Sequence, residues 1–242
     1  MKITTQLLKS SILNKGYKWF SDRPNLIGIR TSIDSPNLFN DLFCLSWIQD
    51  RMVDGLSPIQ KQQWLNNNLY FDPKGMILKE DGDFGKNSEF AYNSYLSDIG
   101  KDRLKVWQIT TDPGTYWLNN PLNRLGTAVL KPNQWVDSWS IGNHQGKSDH
   151  PALVQTSKIT VYRDNDKDNL SEMGKEDVGL FGINIHRSNA TGRTMTIGKW
   201  SAGCQVFQTK SDFDQLLRIC NLYRKRLNNK FTYTLILERD LI

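Results

Sequence analysis

Cysteine and histidine are scarce in this chain, with three of each among 242 residues. Cys44, Cys204 and Cys220 stand far apart and odd in number, which fits neither a disulfide framework nor the paired spacing of a zinc knuckle. Reduced thiols are the expectation. No run of about 18 apolar residues is present, so no membrane-spanning helix and no membrane partner are expected. The first twenty residues carry lysines at 2, 9, 15 and 18 but no continuous apolar block, the middle part of a secretory signal. The expectation is synthesis in the cytoplasm without a Sec signal. Internal repeats and low-complexity tracts are missing, and so is any basic run interleaved with aromatics. The net charge of +6, from 31 Lys and Arg against 25 Asp and Glu, suits any polyanion. Its most basic stretch, 218–230, reads as a solvated helix face, so nucleic acid is not an expected partner. No His-Glu-x-x-His spacing occurs, and neither a metal nor another cofactor is expected.

What the chain does contain is enough apolar material for a core: 38% hydrophobic residues, including eight tryptophans, against 23% charged. Runs at 26–30 and 42–47, separated by Asp34-Ser35-Pro36-Asn37, read as a strand, a turn-rich loop and a strand. Further strands are expected at 106–110, 128–130, 153–155, 159–162, 180–185 and 231–237, with turns at Asp112-Pro113-Gly114 and 119–121. Phe213, Leu216, Leu217, Cys220 and Leu227 share a helical face behind a Ser211 cap, with Asp212 and Asp214 in the first turn. Residues 58–69 and 88–96 look helical and are joined by a glycine-containing turn at 79–85. The texture thus changes from β to α and back. The expected fold class is α+β and β-rich, with one discontinuous domain (1–49 and 104–242) interrupted by a helical insertion (50–103).

The chemistry concentrates in Gly182-Ile183-Asn184-Ile185-His186-Arg187-Ser188-Asn189 and Lys199-Trp200-Ser201-Ala202-Gly203-Cys204-Gln205-Val206-Phe207. A strand ending at His186 and a small-residue turn before Cys204 suit a thiol approached closely by a ligand. The N–H groups of Gly203 and Cys204 are candidates for an oxyanion hole. A thiol of ordinary pKa is only a few per cent ionised at neutral pH and needs a histidine or a positive field. His186 is the candidate base, and an activated Cys204 is expected to alkylate fast. Cys220 and Cys44, on apolar faces, read as core residues.

His186, fourteen intervening residues and then Ser201-Ala202-Gly203-Cys204 resembles the catalytic motif of the L,D-transpeptidases, in which a histidine precedes Ser/Thr-His-Gly-Cys by about that gap. The family's second histidine is replaced by Ala202, and Gln205 and Val206 also depart from its pattern. Gly16-Tyr17-Lys18-Trp19-Phe20, Ile27-Gly28-Ile29-Arg30, Thr110-Thr111-Asp112-Pro113-Gly114-Thr115-Tyr116-Trp117-Leu118, Gly126-Thr127-Ala128 and Ala152-Leu153-Val154-Gln155 extend the resemblance to a divergent branch in phages and bacteria. It implies a β-sandwich catalytic domain, Cys204 as nucleophile, and Arg187 orienting His186 through its backbone carbonyl. Peptidoglycan is the implied partner. A lysin, a virion component or an enzyme delivered by an injection apparatus would meet it in the wall. Hydrolysis of a stem-peptide amide is the favoured reaction; cross-link formation, or a non-catalytic wall-binding or virion protein, stays open.

His144 is the candidate substitute for the missing motif histidine, with Lys147 binding a substrate carboxylate and Ser201 and Trp200 contacting substrate. His150, before Pro151, is expected in an extended approach to the next strand. Asp81-Gly82-Asp83-Phe84-Gly85-Lys86-Asn87-Ser88-Glu89-Phe90-Ala91 is similar to the turn-and-helix element of small peptidoglycan-binding modules, Ser88 being a candidate helix cap. Asp164-Asn165-Asp166-Lys167-Asp168-Asn169 has acidic residues at alternate positions, as calcium loops do. It lacks the glycine at the sixth position and has Lys175 at the twelfth, and reads as a polar hairpin turn.

Overall fold

The computed structural model describes residues 2–31 and 37–242. The expected loop at Asp34-Ser35-Pro36 lies outside them. In chain order the elements are α1 (Thr5–Asn14), β1 (Asn25–Arg30), β2 (Asp41–Ile48), α2 (Pro58–Asn67), α3 (Lys86–Asp98), β3 (Asp102–Thr110), α4 (Thr115–Asn119), β4 (Thr127–Leu130), β5 (Asn133–Asn143), β6 (Pro151–Gln155), β7 (Ile159–Asp164), β8 (Lys175–Gly179), β9 (Ile185–Arg187), β10 (Gln205–Phe207), α5 (Lys210–Arg226) and β11 (Phe231–Leu237). The class is α+β and β-rich, as expected. The main sheet is not one face of a sandwich: it closes into an eight-stranded barrel in the order β1-β11-β5-β6-β9-β10-β3-β2. A separate sheet, β4-β7-β8, lies beside it.

Alternation along β1 and β2 explains how the barrel is buried on both sides here. Leu26, Phe43 and Leu45 belong to the main core, whereas Ile27, Ile29 and Cys44 face outward and are covered by Leu8 and Ile12 of α1. Thr4 caps α1, its hydroxyl accepting from the Leu7 N–H at 3.1 Å. Within the main core Phe43 packs on Phe207 and Tyr233, at ring separations of 4.9 and 5.7 Å. One buried face of α5, including Phe213, Leu216, Leu217 and Cys220, seals that core. Each such side chain contributes about 1.5–3 kcal/mol by burial.

Several local expectations need correction. The cap of α5 is Thr209, whose hydroxyl accepts from the Asp212 N–H at 3.3 Å, and Ser211 lies inside the first turn. Leu227 ends α5 and is exposed rather than on its buried face. Residues 180–184 are not a strand. The N–H groups of Phe181 and Ile183 both donate to the side-chain oxygen of Gln155 at 3.1 Å, so an amide side chain replaces the sheet ladder.

The insertion occupies the tip of a hairpin. β2 and β3 pair antiparallel out to Ile48 opposite Asp102, and everything between them forms the helical unit. It has a small core of its own, including Met52, Leu65, Tyr70, Ala91 and Tyr95. Gln62, fully buried, clamps the 81–85 turn by donating to the Asp83 carbonyl and accepting from the Gly82 N–H, each at 2.8 Å. Ser88 is not the cap of α3; Gly85 holds that position, and Ser88 Oγ accepts from Gln62 at 3.1 Å. Arg103 ties the unit to the barrel, donating to the carbonyls of Asn68 and Leu69 and stacking 4.0 Å over Tyr70.

Candidate active site

β9 and β10 are short parallel neighbours, with Ile185 opposite Gln205 and His186 opposite Val206. That register puts Cys204, just before β10, beside Asn184, just before β9. The Asn184 N–H donates to the thiol sulfur at 3.4 Å, and the thiol faces the Gly182 carbonyl at the same distance. Phe39, Ile197 and Val206 wall the thiol on its apolar side. The approach requires glycine at 203. Its φ is +121°, and a Cβ there would lie 2.3 Å from the Ala128 carbonyl oxygen. α4 braces the same loop: the Gly114 N–H donates to the Ser201 carbonyl at 2.9 Å and Trp117 Nε1 to the Lys199 carbonyl at 3.1 Å.

All three histidines converge on this point. The β5–β6 hairpin carries His144 and His150 at its tip, and because β6 pairs with β9 the tip lies over His186. The His144 and His186 rings stack at 4.0 Å, and His150 stands 4.9 and 5.1 Å from the two of them. One ring nitrogen each of His144 and His186, together with the Cys204 sulfur, lie within 4.8 Å of one another. A carbonyl only accepts, so His186 Nδ1 donates to the Arg187 carbonyl at 2.7 Å and His150 Nε2 donates to it at 3.2 Å. His186 Nε2 is then the basic nitrogen. It is buried and has no hydrogen-bond partner among the described residues.

Burial sets the protonation states. It lowers His186 to about 3, with the neighbouring His144 second, and lowers His144 to about 4, with His150 and Lys147 adding to the effect. The Cys204 thiol is pushed up to about 11 by burial, against a smaller opposing effect of the Asn184 N–H. The resting pair is therefore a neutral thiol and a neutral imidazole. Among the described residues no cation stands against the sulfur to offset its desolvation, so burial favours the thiol over the expected fast-alkylating thiolate.

The other expected residues divide. The Arg187 carbonyl does hold His186, and the Arg187 side chain is itself buried, donating to the carbonyls of Ser188 and Asp149. Lys147 is exposed at the hairpin tip. Ser201 is fully buried and braces the turn, donating to the Cys204 carbonyl at 2.8 Å and accepting from the Gly203 N–H at 3.2 Å. It offers substrate nothing, and the Gly203 N–H is engaged rather than free for an oxyanion. Trp200 is on the loop surface, 40% exposed, with no ring contact to the histidines. Ala202 edges a cavity of about 280 Å³ shared with Trp117, Leu122, Arg163 and Phe181.

Asn184 is the residue that sequence reasoning passed over. Its Nδ2 donates to His144 Nδ1 at 3.1 Å, its Oδ1 accepts from the Gln155 N–H at 3.0 Å, and its own N–H reaches the thiol. The available signal was an amide within an apolar run, two residues before His186. Among the described residues no helix is long and apolar enough to cross a membrane. No family model, curated protein or solved structure matches the chain.

Proposed function

We propose that the chain is a cysteine-dependent hydrolase of peptide amides in bacterial peptidoglycan, acting through an acyl-enzyme on Cys204. The observation that carries the chemistry is a thiol gathered with two neutral imidazoles, one of which has its tautomer fixed so that Nε2 is a bare base. A neutral pair of this kind works by concerted transfer. His186 Nε2 takes the thiol proton as the sulfur attacks the amide carbonyl, and a C–S bond forms. The tetrahedral intermediate collapses with loss of the amine, which takes the proton back from His186. Water, deprotonated by the same nitrogen, then attacks the thioester carbonyl, the C–S bond breaks to release the acid, and the sulfur takes the proton back from His186. The Cys204 N–H is the oxyanion donor at hand, and His144 stacks on His186.

The choice of substrate rests on the motif resemblance, on the +6 charge suited to an acidic wall polymer, and on the Asp-Gly-Asp-Phe-Gly turn of the insertion. A groove of about 450 Å³ beside that turn, lined by Gln62, Asp72, Ile77, Lys79 and Asn87 among others, is the place for a wall ligand. The test is incubation with purified sacculi and mass spectrometry of released muropeptides. Wild type is expected to release cleaved stem peptides and Cys204→Ala none; equal release by both would overturn the mechanism. New cross-links in place of new termini would assign transfer to an amine rather than hydrolysis.

A further inference from the structure

The loop between β7 and β8 does not belong to the site described above. Its acidic residues, Asp164, Asp166, Asp168 and Glu172, occupy the first, third, fifth and ninth positions of a run that reverses direction at Lys167, where φ is +63°. Hard cations of the calcium type take oxygen ligands in that alternating order, with a backbone carbonyl at the seventh position, here Leu170. We propose that this loop is a calcium site, with Asp164, Asp166, Asp168 and Glu172 as its carboxylate ligands.

Two independent observations carry it. One carboxylate oxygen each from Asp166, Asp168 and Glu172 lie within 4.8 Å of one another, on three exposed side chains of which two are oriented by the loop backbone, Asp166 accepting from the Asp168 N–H and Asp168 from the Leu170 N–H. Ligands on opposite sides of one calcium ion, at about 2.3–2.6 Å each, are about 5 Å apart, so three oxygens this close can share one ion. The second observation is Asp164, 2% exposed. Its Oδ2 accepts from the Glu172 N–H at 2.8 Å, while Oδ1 is buried with no hydrogen-bond partner among the described residues. The charges acting on that carboxylate come from Asp166 and Asp168, both negative. A buried carboxylate oxygen facing only like charge is costly unless a cation joins it. No ion pair involving any of the four residues is found among the described residues.

The departures from helix-loop-helix calcium sites tune the affinity. Asn169 replaces the sixth-position glycine and Lys175 the twelfth-position glutamate, so Glu172 supplies the last acid and the loop joins two strands. Fewer ligands place the site with the weaker modules, at a Kd of about 10⁻⁴–10⁻³ M. The loop is wired to the catalytic side of the molecule. Asn119 of α4 donates to the Asp168 carbonyl at 3.2 Å and to Asn169 Oδ1 at 2.9 Å, and Ser171 donates to Asp112 at 3.1 Å. Ordering the loop therefore steadies α4, which braces the Cys204 turn.

The experiment uses the full chain freed of metal by chelation, with thermal unfolding and calorimetric titration by CaCl₂. One site is expected, with Tm rising by about 3 °C or more at about 10 mM calcium and less with magnesium. Asp166→Asn and Asp168→Asn should each abolish the calcium-induced rise while leaving the metal-free Tm equal to or above wild type, because a repulsion is removed. That second readout separates loss of a ligand from loss of fold. A wild-type Tm indifferent to calcium, or an unchanged calcium response in both variants, would overturn the site. Neither readout depends on hydrolysis.

Discussion

Acidification from about pH 7.5 to about pH 5 should weaken the fold, and His186 is the residue through which the effect is best measured. Its imidazole is held at about 3 by burial first and by His144 second. In the unfolded chain it titrates near the ordinary 6.5. Between those values the unfolded state binds a proton that the folded state refuses, so the contribution is fully present above about 6.5 and is lost as pH falls toward 3. At about pH 5 the loss from this one residue is roughly 2 kcal/mol, against about 0.1 at pH 7.5. That is a large part of a typical domain stability of about 5–15 kcal/mol. His144 acts in the same direction, by less because it is half-buried. Asp41 acts the other way: burial, then the charge of Asp112, raises its carboxyl to about 6, so protonation below that favours the fold. His186→Asn keeps a donor for the Arg187 carbonyl and removes the titration, while the other groups stay common to both proteins. Urea unfolding at the two pH values should show the variant losing about 2 kcal/mol less than wild type on acidification. Equal losses, within about 0.5 kcal/mol, would refute the claim that His186 is held neutral by burial.

The neutral thiol predicts slow alkylation: iodoacetamide should modify native Cys204 only slowly at neutral pH, at a rate still climbing above about pH 9, and a fast plateau near neutrality would instead reveal a preformed thiolate. Replacing residues 49–101 by a short glycine linker between Ile48 and Asp102 should leave a cooperatively folded barrel that binds sacculi more weakly, as followed by thermal unfolding and pull-down. Failure to fold would make the insertion part of the barrel's core through Leu69 and Arg103. His144→Ala should lower muropeptide release by about 10²-fold, the scale of one lost proton-transfer or oxyanion group, and Ala202→His in that background should recover part of it; wild-type release would reduce the hairpin tip to a surface connection.

Much of this architecture was legible in local pattern. The strands at 26–30, 42–47, 128–130 and 159–162 and the apolar face of α5 follow from period and burial alone. What the pattern did not carry was pairing between distant segments. Nothing local to β1 announces that it meets both β2 and β11, and that contact turns an expected sandwich into a barrel. α1 escapes the pattern because only Leu8 and Ile12 of its apolar residues are buried, while Leu13 beside them is exposed and blurs the face. The Cys204 and His186 pair stood out by motif, yet its protonation did not, since a pKa depends on burial from all sides. His144 was guessed from scarcity of histidine; its stacking on His186 follows from the pairing of β6 with β9, which no spacing reveals.

The parallel pairing of β1 with β11 has a consequence for how the molecule is made. Leu26 meets Tyr233 and Ile29 meets Ile236, contacts that join chain segments about 200 residues apart. On a ribosome emitting about 5–20 residues per second, β1 waits with one hydrogen-bonding edge bare until β11 emerges, and so does β5, whose edge β11 also fills. During that interval the nascent chain has open edges of the kind that pair with the wrong neighbour. The helical unit between β2 and β3, by contrast, closes on local contacts and can be complete early. Synthesis should therefore pass through a stage with a folded helical knob and an open sheet, which becomes a barrel only when the last strand has docked.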